Sequence, residues 1–298
     1  MKTPYPQLTN QCIEYILKHQ ENIFSWLASL ENKKELPLYS SVDIRDAGFK
    51  ACVVDTNLFP AGFNNLCEHG LADAALFMKT AVLRRIPQAR RVLIIAEEHT
   101  RNTWYLENVR ILEQIIRNAG FEAKIATFLS IQPGFCQDAK FVEMETATGQ
   151  SVRIHCFKRI LEEFESGRET YDLIIMNNDL TAGIPEVLKN SAVPIYPSIQ
   201  AGWHARHKSH HFCLTNKLME EFGNIVGLDP WLFSALYDVA DGIDINNDGD
   251  RLKLQDQAST LLKKISAKYN IGIGLSSDNR LIAPIQQGQH SKLQFRVS

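Results

Sequence analysis

The chain has no apolar run long enough to cross a bilayer. Its longest stretches, such as Val92 to Ala96 and Leu173 to Met176, are of strand length, whereas a spanning helix needs roughly 20 residues. Met1 to Gln20 lacks a basic segment followed by an apolar block, so a secretory signal is not expected there. Charge of one sign is also lacking. The 32 Lys and Arg against 34 Asp and Glu leave a formal net charge of -2, which provides no broad basic face for a phosphate backbone. Neither nucleic acid nor membrane is an expected partner, and the pairs Arg84-Arg85 and Arg90-Arg91 read as solvated helix-end charge. No C-x-x-C occurs among the six cysteines, Cys12, Cys52, Cys67, Cys136, Cys156 and Cys213. Free, reduced thiols in a cytoplasmic protein are the expectation. There is no Walker loop, no G-x-S-x-G and no G-x-G-x-x-G, which removes the common phosphate cradles and the nucleophile elbow.

What is present is globular material. The 298 residues, 45% of them hydrophobic and 22% charged, suffice to bury a core without a disulfide or metal staple. Apolar spacing predicts an amphipathic helix over 9–30, then short strands over 41–44 and 51–54 around the Asp46-Ala47-Gly48 turn. Residues 55–65 read as a polar loop with two embedded Phe. Helices are predicted over 71–84, 104–118 (closed by Gly120) and 160–164. Strands are predicted over 92–96, 121–128, 171–176 and 193–196, with a hairpin of 139–145 and 151–157 around Thr148-Gly149. Buried strands alternating with helices indicate an α/β fold, a mostly parallel sheet flanked by helices. Beyond residue 205 the strands stop. Helices follow over 209–226, ended by Gly227, from Pro230 with Asp229 as its cap, and over 254–269. The organisation reads as a helical segment 1–40, an α/β substrate-binding domain 41–205, a helical connection 206–272 and an atypical tail 273–298.

Ligands of open α/β sheets bind beyond the carboxyl ends of the strands. Four strand exits here carry polar clusters: 55–65, 97–102, 177–186 and 197–212. Each alone is ordinary turn chemistry; together they favour a site. Arg45, Arg101 and Arg206 offer planar forks for carboxylate or phosphate. Asp55, Asp179 and Glu186 suit an ammonium group or a metal. Asn57, Asn64, Asn102, Asn177 and Asn178 both donate and accept. The mixture suits an amino acid. The site-lining candidates are Arg45, Asp55, Asn57, Asn64, Arg101, Asn102, Asn178, Asp179, Arg206 and Lys208. His99 is a weaker candidate, as a base towards an amine or as a structural hydrogen-bonding residue. Phe59, Phe63, Trp203 and Phe212 read as packing beneath the loops. Two patterns imitate metal sites. Asp244 to Asp250 opens like a calcium loop, but its twelfth position is Gln255, which cannot supply a bidentate carboxylate. His204, His207, His210 and His211 match no zinc spacing.

Five segments, V-D-T-N-L-F-P-A-G-F-N-N-L (54–66), E-E-H-T-R-N (97–102), N-N-D-L-T-A-G-I-P-E (177–186), A-G-W-H-A-R-H-K-S-H-H-F (201–212) and G-L-D-P-W (227–231), resemble the proteobacterial glutamate–cysteine ligase family related to ATP-grasp enzymes. The resemblance runs from about residue 40 to about residue 272. It implies the first step of glutathione synthesis. ATP phosphorylates the side-chain carboxylate of glutamate, the amine of cysteine attacks the acyl phosphate, and γ-glutamylcysteine, ADP and phosphate result. It implies ATP and Mg2+ as cofactors, with no metal ligand assigned in this chain. Arg101, Arg206 and Lys208 would stabilise the reacting centre. Arg45, Asp55, Asn57, Asn64, Asn102, Asn178 and Asp179 would hold glutamate and cysteine. The implied fold is a pre-ATP-grasp-like substrate domain followed by a helical segment. After Lys268 to Ile273 the family continues into a lysine-bearing strand and a glycine-rich loop, whereas Gly274 to Ser298 does not match. The expectation is a truncated or frame-shifted chain with most of the ATP-grasp lobes missing and little ligase activity alone. The alternative is an amino-acid-binding module or remnant without ATP chemistry.

Overall fold

Two continuous apolar runs set the centre of the main sheet. Arg91–Ala96 and Leu173–Asn177 pair in parallel, from Val92 opposite Leu173 to Ala96 opposite Asn177. Strands buried on both faces need no alternation, which is why these runs are unbroken. The computed structural model describes residues 13–31, 37–46, 50–98, 101–128, 140–181, 183–202 and 205–273. It divides into two units, Met1–Ser234 and Ala235–Ser298. The first unit holds, in chain order, α1 (Gln20–Glu31), β1 (Ser41–Asp46), β2 (Ala51–Asn57), α2 (Glu68–Arg85), β3 (Arg91–Ala96), α3 (Thr103–Asn118), β4 (Glu122–Thr127), β5 (Phe141–Glu145), β6 (Ser151–Cys156), α4 (Phe157–Glu165), β7 (Leu173–Asn177), α5 (Glu186–Lys189), β8 (Ile195–Tyr196) and α6 (Lys208–Val226). The second unit contains α7 (Asp248–Ile273).

Six strands form one sheet in the order β5-β6-β4-β3-β7-β8. All neighbours are parallel except the β5–β6 hairpin. The expected α/β architecture is therefore the observed one. One face of the sheet (Val92, Ile94, Ile125, Ile154, Leu173, Ile175) packs on Val82 of α2 and on Val109, Leu112 and Ile116 of α3. The other face (Leu93, Ile95, Ala126, Ile174, Met176) packs on Phe157 and Ile160 of α4, with Phe59, Leu180 and Leu188. Each fully buried Leu or Ile contributes about 1.5–3 kcal/mol. α3 starts where the Asn102 side chain accepts from the Trp104 and Tyr105 N–H groups. It stops at Gly120, whose φ of 97° suits only a residue without Cβ. Within α3, buried Glu107 takes Arg110 Nη2 at 2.7 Å and the Thr148 hydroxyl at 2.7 Å. It ties the helix to the β5–β6 turn, and the Arg110 hydrogen bond foremost holds its carboxyl down at about 2.

The hairpin β1–β2 forms its own two-stranded sheet. β2 runs to Asn57, three residues past the expected end at Val54, because Thr56 and Asn57 still pair with Val42 and Ser41. Cross-strand pairing here overrides the loop character of D-T-N. α6 ends at Gly227 in the left-handed region, φ 72°, and the Leu228 N–H returns to the Gly223 carbonyl at 3.0 Å. Gly223 has no room for a side chain: a Cβ would lie 2.9 Å from the Leu228 oxygen and 2.9 Å from Pro230 Cγ. Asp229 does cap the next element, but that element is a single 3-10 turn, Pro230–Leu232, and not the start of a longer helix. α1 rests on α6 through Trp26, which stacks on Phe222 at 6.2 Å and donates to Glu221 at 2.9 Å.

α7 begins six residues before the expected Leu254. The acidic loop ahead of it folds on itself. Asp244 Oδ1 accepts from the Asn246 N–H, Asn247 Oδ1 from the Asp250 N–H, and Asp250 Oδ2 from the Asp244 N–H. The cysteine expectation needs a correction. Cys52, Cys67 and Cys213 are free, but Cys156, fully buried at the end of β6, is disulfide-bonded. The lack of a C-x-x-C pair does not prevent bonding between cysteines distant in sequence. Cys12 and Cys136 lie outside the described residues.

Candidate functional site

The strand order reverses between β3 and β7: the chain leaves β3 towards β4 and leaves β7 towards β8. The crevice of an open α/β sheet lies at such a point, beyond the carboxyl ends. Here a buried polar network closes its floor. The Tyr105 hydroxyl accepts from the Glu97 N–H at 2.8 Å, and lies 2.8 Å from the Asn177 carbonyl oxygen and 3.1 Å from Asn177 Oδ1. Asn177, 1% exposed, donates to the Pro60 carbonyl at 2.8 Å and accepts from Asn108 at 3.3 Å. Asn108 Oδ1 takes the Phe63 N–H at 3.0 Å. Tyr39 reaches the Met176 carbonyl at 3.5 Å. Burial pushes the Tyr39 and Tyr105 hydroxyls well above the ordinary phenol value, so both stay protonated donors. The loop 58–63 is thereby fastened across the end of the sheet.

A second, more accessible cluster stands at the end of the hairpin. Asp55 Oδ1 meets Lys208 Nζ at 2.7 Å and Arg206 Nη2 at 3.3 Å. Arg206 also donates to the Thr56 carbonyl at 2.9 Å and to Asn57 Oδ1 at 3.5 Å. Lys208 donates to the Val54 carbonyl at 3.1 Å. His211 Nδ1 lies 3.4 Å from the Thr56 hydroxyl, and burial lowers its imidazole below the usual range. The strand end 53–57 thus brackets the first turn of α6, whose cap residue His207 supplies no side-chain cap. Two cations meet one carboxylate, so the cluster carries a net positive charge beside a helix N-terminus, an arrangement suited to a carboxylate or phosphate oxygen.

Of the residues expected to line a site, the structure gathers Asp55, Asn57, Arg206 and Lys208. Asn102 and Asn178 are engaged by backbone: Asn102 caps α3, while Asn178 donates to the Ala96 carbonyl at 3.3 Å and accepts from the Leu180 N–H at 2.9 Å. Leu180 follows with φ 56°. Asn64 donates to its neighbour Asn65 at 3.4 Å. Asp179 is half-buried and acts electrostatically on Tyr105. Arg45 (exposed, opposite Cys52 on β1) and Arg101 (exposed ahead of α3) are not drawn into the Asp55 cluster by any described contact. His99, Trp203 and His204 lie outside the described residues. Sequence reading missed Tyr105 and Asn108, which look like ordinary helix positions, and Thr56; His211 was noticed only within a histidine cluster that matched no zinc spacing. Their only signal was proximity to the polar exits.

A glutamate-cysteine ligase family model, GshA, matches residues 14–279. The chain belongs to that family. No curated protein matches it. Among solved structures it is similar to a protein of Methylobacillus flagellatus KT that carries the name gamma-glutamylcysteine synthetase by assignment, with 33% identity and a TM-score of 0.78. The match covers 93% of this chain and 64% of that one. The chain therefore spans less than two thirds of that relative. The expected ligase resemblance and its fold thus hold at the level of family.

The family reading implies Mg2+ and ATP. No group of three or more His, Cys, Asp or Glu among the described residues converges as a metal site. The acids that do cluster, Asp244, Asp248 and Asp250, are engaged by their own loop and by Arg251 and Lys253. These acids are thus occupied within their own segment, and no described residue is assigned to magnesium or nucleotide. Among the described residues no helix is long and apolar enough to cross a membrane.

Proposed function

We propose that this glutamate–cysteine ligase family chain supplies the amino-acid-holding part of an ATP-dependent ligation of glutamate to cysteine, and that Arg206 and Lys208 receive a substrate carboxylate. The supporting observation is their convergence: residues about 150 positions from β2 in sequence place two cations on one carboxylate at the exit of β2. A guanidinium fork and an ammonium group are the donors a carboxylate or acyl phosphate needs. Asn57 and the α6 N-terminus add neutral donors to the same surface. A small amino acid matches a half-buried cluster of this size better than an apolar ligand.

Calorimetric titration of the chain with glutamate tests this. Binding that weakens about tenfold to a hundredfold in Arg206→Ala, the loss of a charge-assisted hydrogen bond, supports the proposal. No binding, or binding indifferent to Arg206, overturns it. In parallel, ADP release is followed with ATP, magnesium, glutamate and cysteine present. Turnover assigns the whole ligation to this chain; glutamate binding without turnover assigns it the holding step alone.

A further inference from the structure

We infer that Asp55 is a positioning residue, which fixes Arg206 and Lys208 for a substrate carboxylate and does not itself touch substrate; this rests on the proposed glutamate site. A carboxylate in such a cluster invites assignment to the substrate ammonium group. The contacts point elsewhere. One oxygen, Oδ1, receives Lys208 Nζ at 2.7 Å, Arg206 Nη2 at 3.3 Å and the Thr56 N–H at 3.0 Å. Both cations also donate to backbone of the same strand, Lys208 to Val54 and Arg206 to Thr56. Lys208 is therefore held on the strand backbone and on Asp55, and Arg206 on the strand backbone, on Asp55 and more loosely on Asn57 Oδ1 at 3.5 Å. The strand position is itself fixed, because Thr56 pairs with Val42 across the hairpin.

Two effects compete when Asp55 loses its charge. The cluster becomes more positive, which favours an anion. The cations sit partly in solvent, with 26% and 40% of their side-chain surface exposed, so this gain is screened. Against it, two flexible side chains must now be ordered by the ligand, a penalty paid for each rotamer-rich chain. The second effect dominates, and Asp55→Asn weakens carboxylate binding.

The test compares glutamate with glutarate, which keeps both carboxylates and lacks the ammonium group. In Asp55→Asn both ligands weaken by the same factor, on the order of tenfold, and Asp55→Glu restores most of it for both. If Asp55 held the ammonium group, Asp55→Asn would weaken glutamate and leave glutarate unchanged, and the inference would be overturned. A second measurement needs no ligand. 15N relaxation of the Arg206 Nε–H shows greater mobility in Asp55→Asn and recovery in Asp55→Glu; unchanged mobility also overturns the inference. If the wild-type chain binds no glutamate, the proposed function fails, and the relaxation result still decides whether Asp55 holds the two cations.

Discussion

The Tyr105 hydroxyl lies 2.8 Å from the carbonyl oxygen of Asn177, joining α3 to the end of β7 inside the protein. The same hydroxyl accepts the Glu97 N–H, and the Asn177 side chain reaches on to Pro60. Tyr105→Phe leaves the Glu97 N–H and the Asn177 oxygens short of a partner in a buried place. It should lower unfolding free energy by about 1–3 kcal/mol. Asn177→Ala removes three partners together and should cost more. Urea denaturation of both variants gives the ranking, and a neutral Asn177→Ala would contradict the network.

Acid should weaken the fold in two windows. Burial, helped by the Lys124 charge, lowers His155 to about 4. The unfolded chain therefore binds this proton first, and stability falls as pH drops from the ordinary histidine value of about 6.5 towards 4. Glu107 lies at about 2 in the folded state. Its contribution is present above the ordinary carboxylate value and is lost as pH falls towards 2, and amounts to roughly 3 kcal/mol. Denaturant titrations at stepped pH should show His155→Gln flattening the upper window and Glu107→Gln the lower one.

The end of α6 offers a comparison of two glycines. Gly227→Ala forces a left-handed residue and should cost about 1 kcal/mol. Gly223→Ala pushes a methyl group against the Leu228 carbonyl and Pro230, and should cost about 1–3 kcal/mol. Thermal melts should place the Gly223 variant lower. The reverse order would mean that the Pro230 turn yields easily.

Asn102 caps α3 with one oxygen shared by two N–H groups. Asn102→Ala should lower stability by about 1 kcal/mol. Asn102→Asp should retain it, since a carboxylate also caps and favours the helix N-terminus. Denaturation midpoints of the pair separate capping from any other contribution of this side chain.

Much of the sheet was legible because burial on two faces leaves an unbroken apolar run, as in 92–96 and 173–176. β2 was legible only to Val54. Its last residues are polar, and only pairing with β1 makes them strand. The four polar exits pointed to Arg206, Lys208, Asp55 and Asn57, but not to the sharing of one Asp55 oxygen by Arg206 and Lys208. Asparagine was the ambiguous type. At 57 it takes the Phe59 N–H and also meets Arg206, whereas at 102 and 178 its described contacts are to backbone only, and no spacing rule distinguishes these uses. The Tyr105–Asn108–Asn177–Pro60 network was hidden because the hydrogen bonds that meet at Asn177 join it to residues 69 to 117 positions away.

The fastening of residues 58–63 has a consequence for kinetics. Asn57 takes the Phe59 N–H, Asn177 holds Pro60 and Asn108 holds Phe63, so the segment leading away from Asp55 and Asn57 is ordered before any ligand arrives. If Arg206 and Lys208 receive an amino acid as proposed, it would meet a formed wall and need not wait for a loop to fold over it. Its encounter rate should then respond to ionic strength, through the Arg206–Lys208 charge, much more than to solvent viscosity or to mutations that loosen the segment.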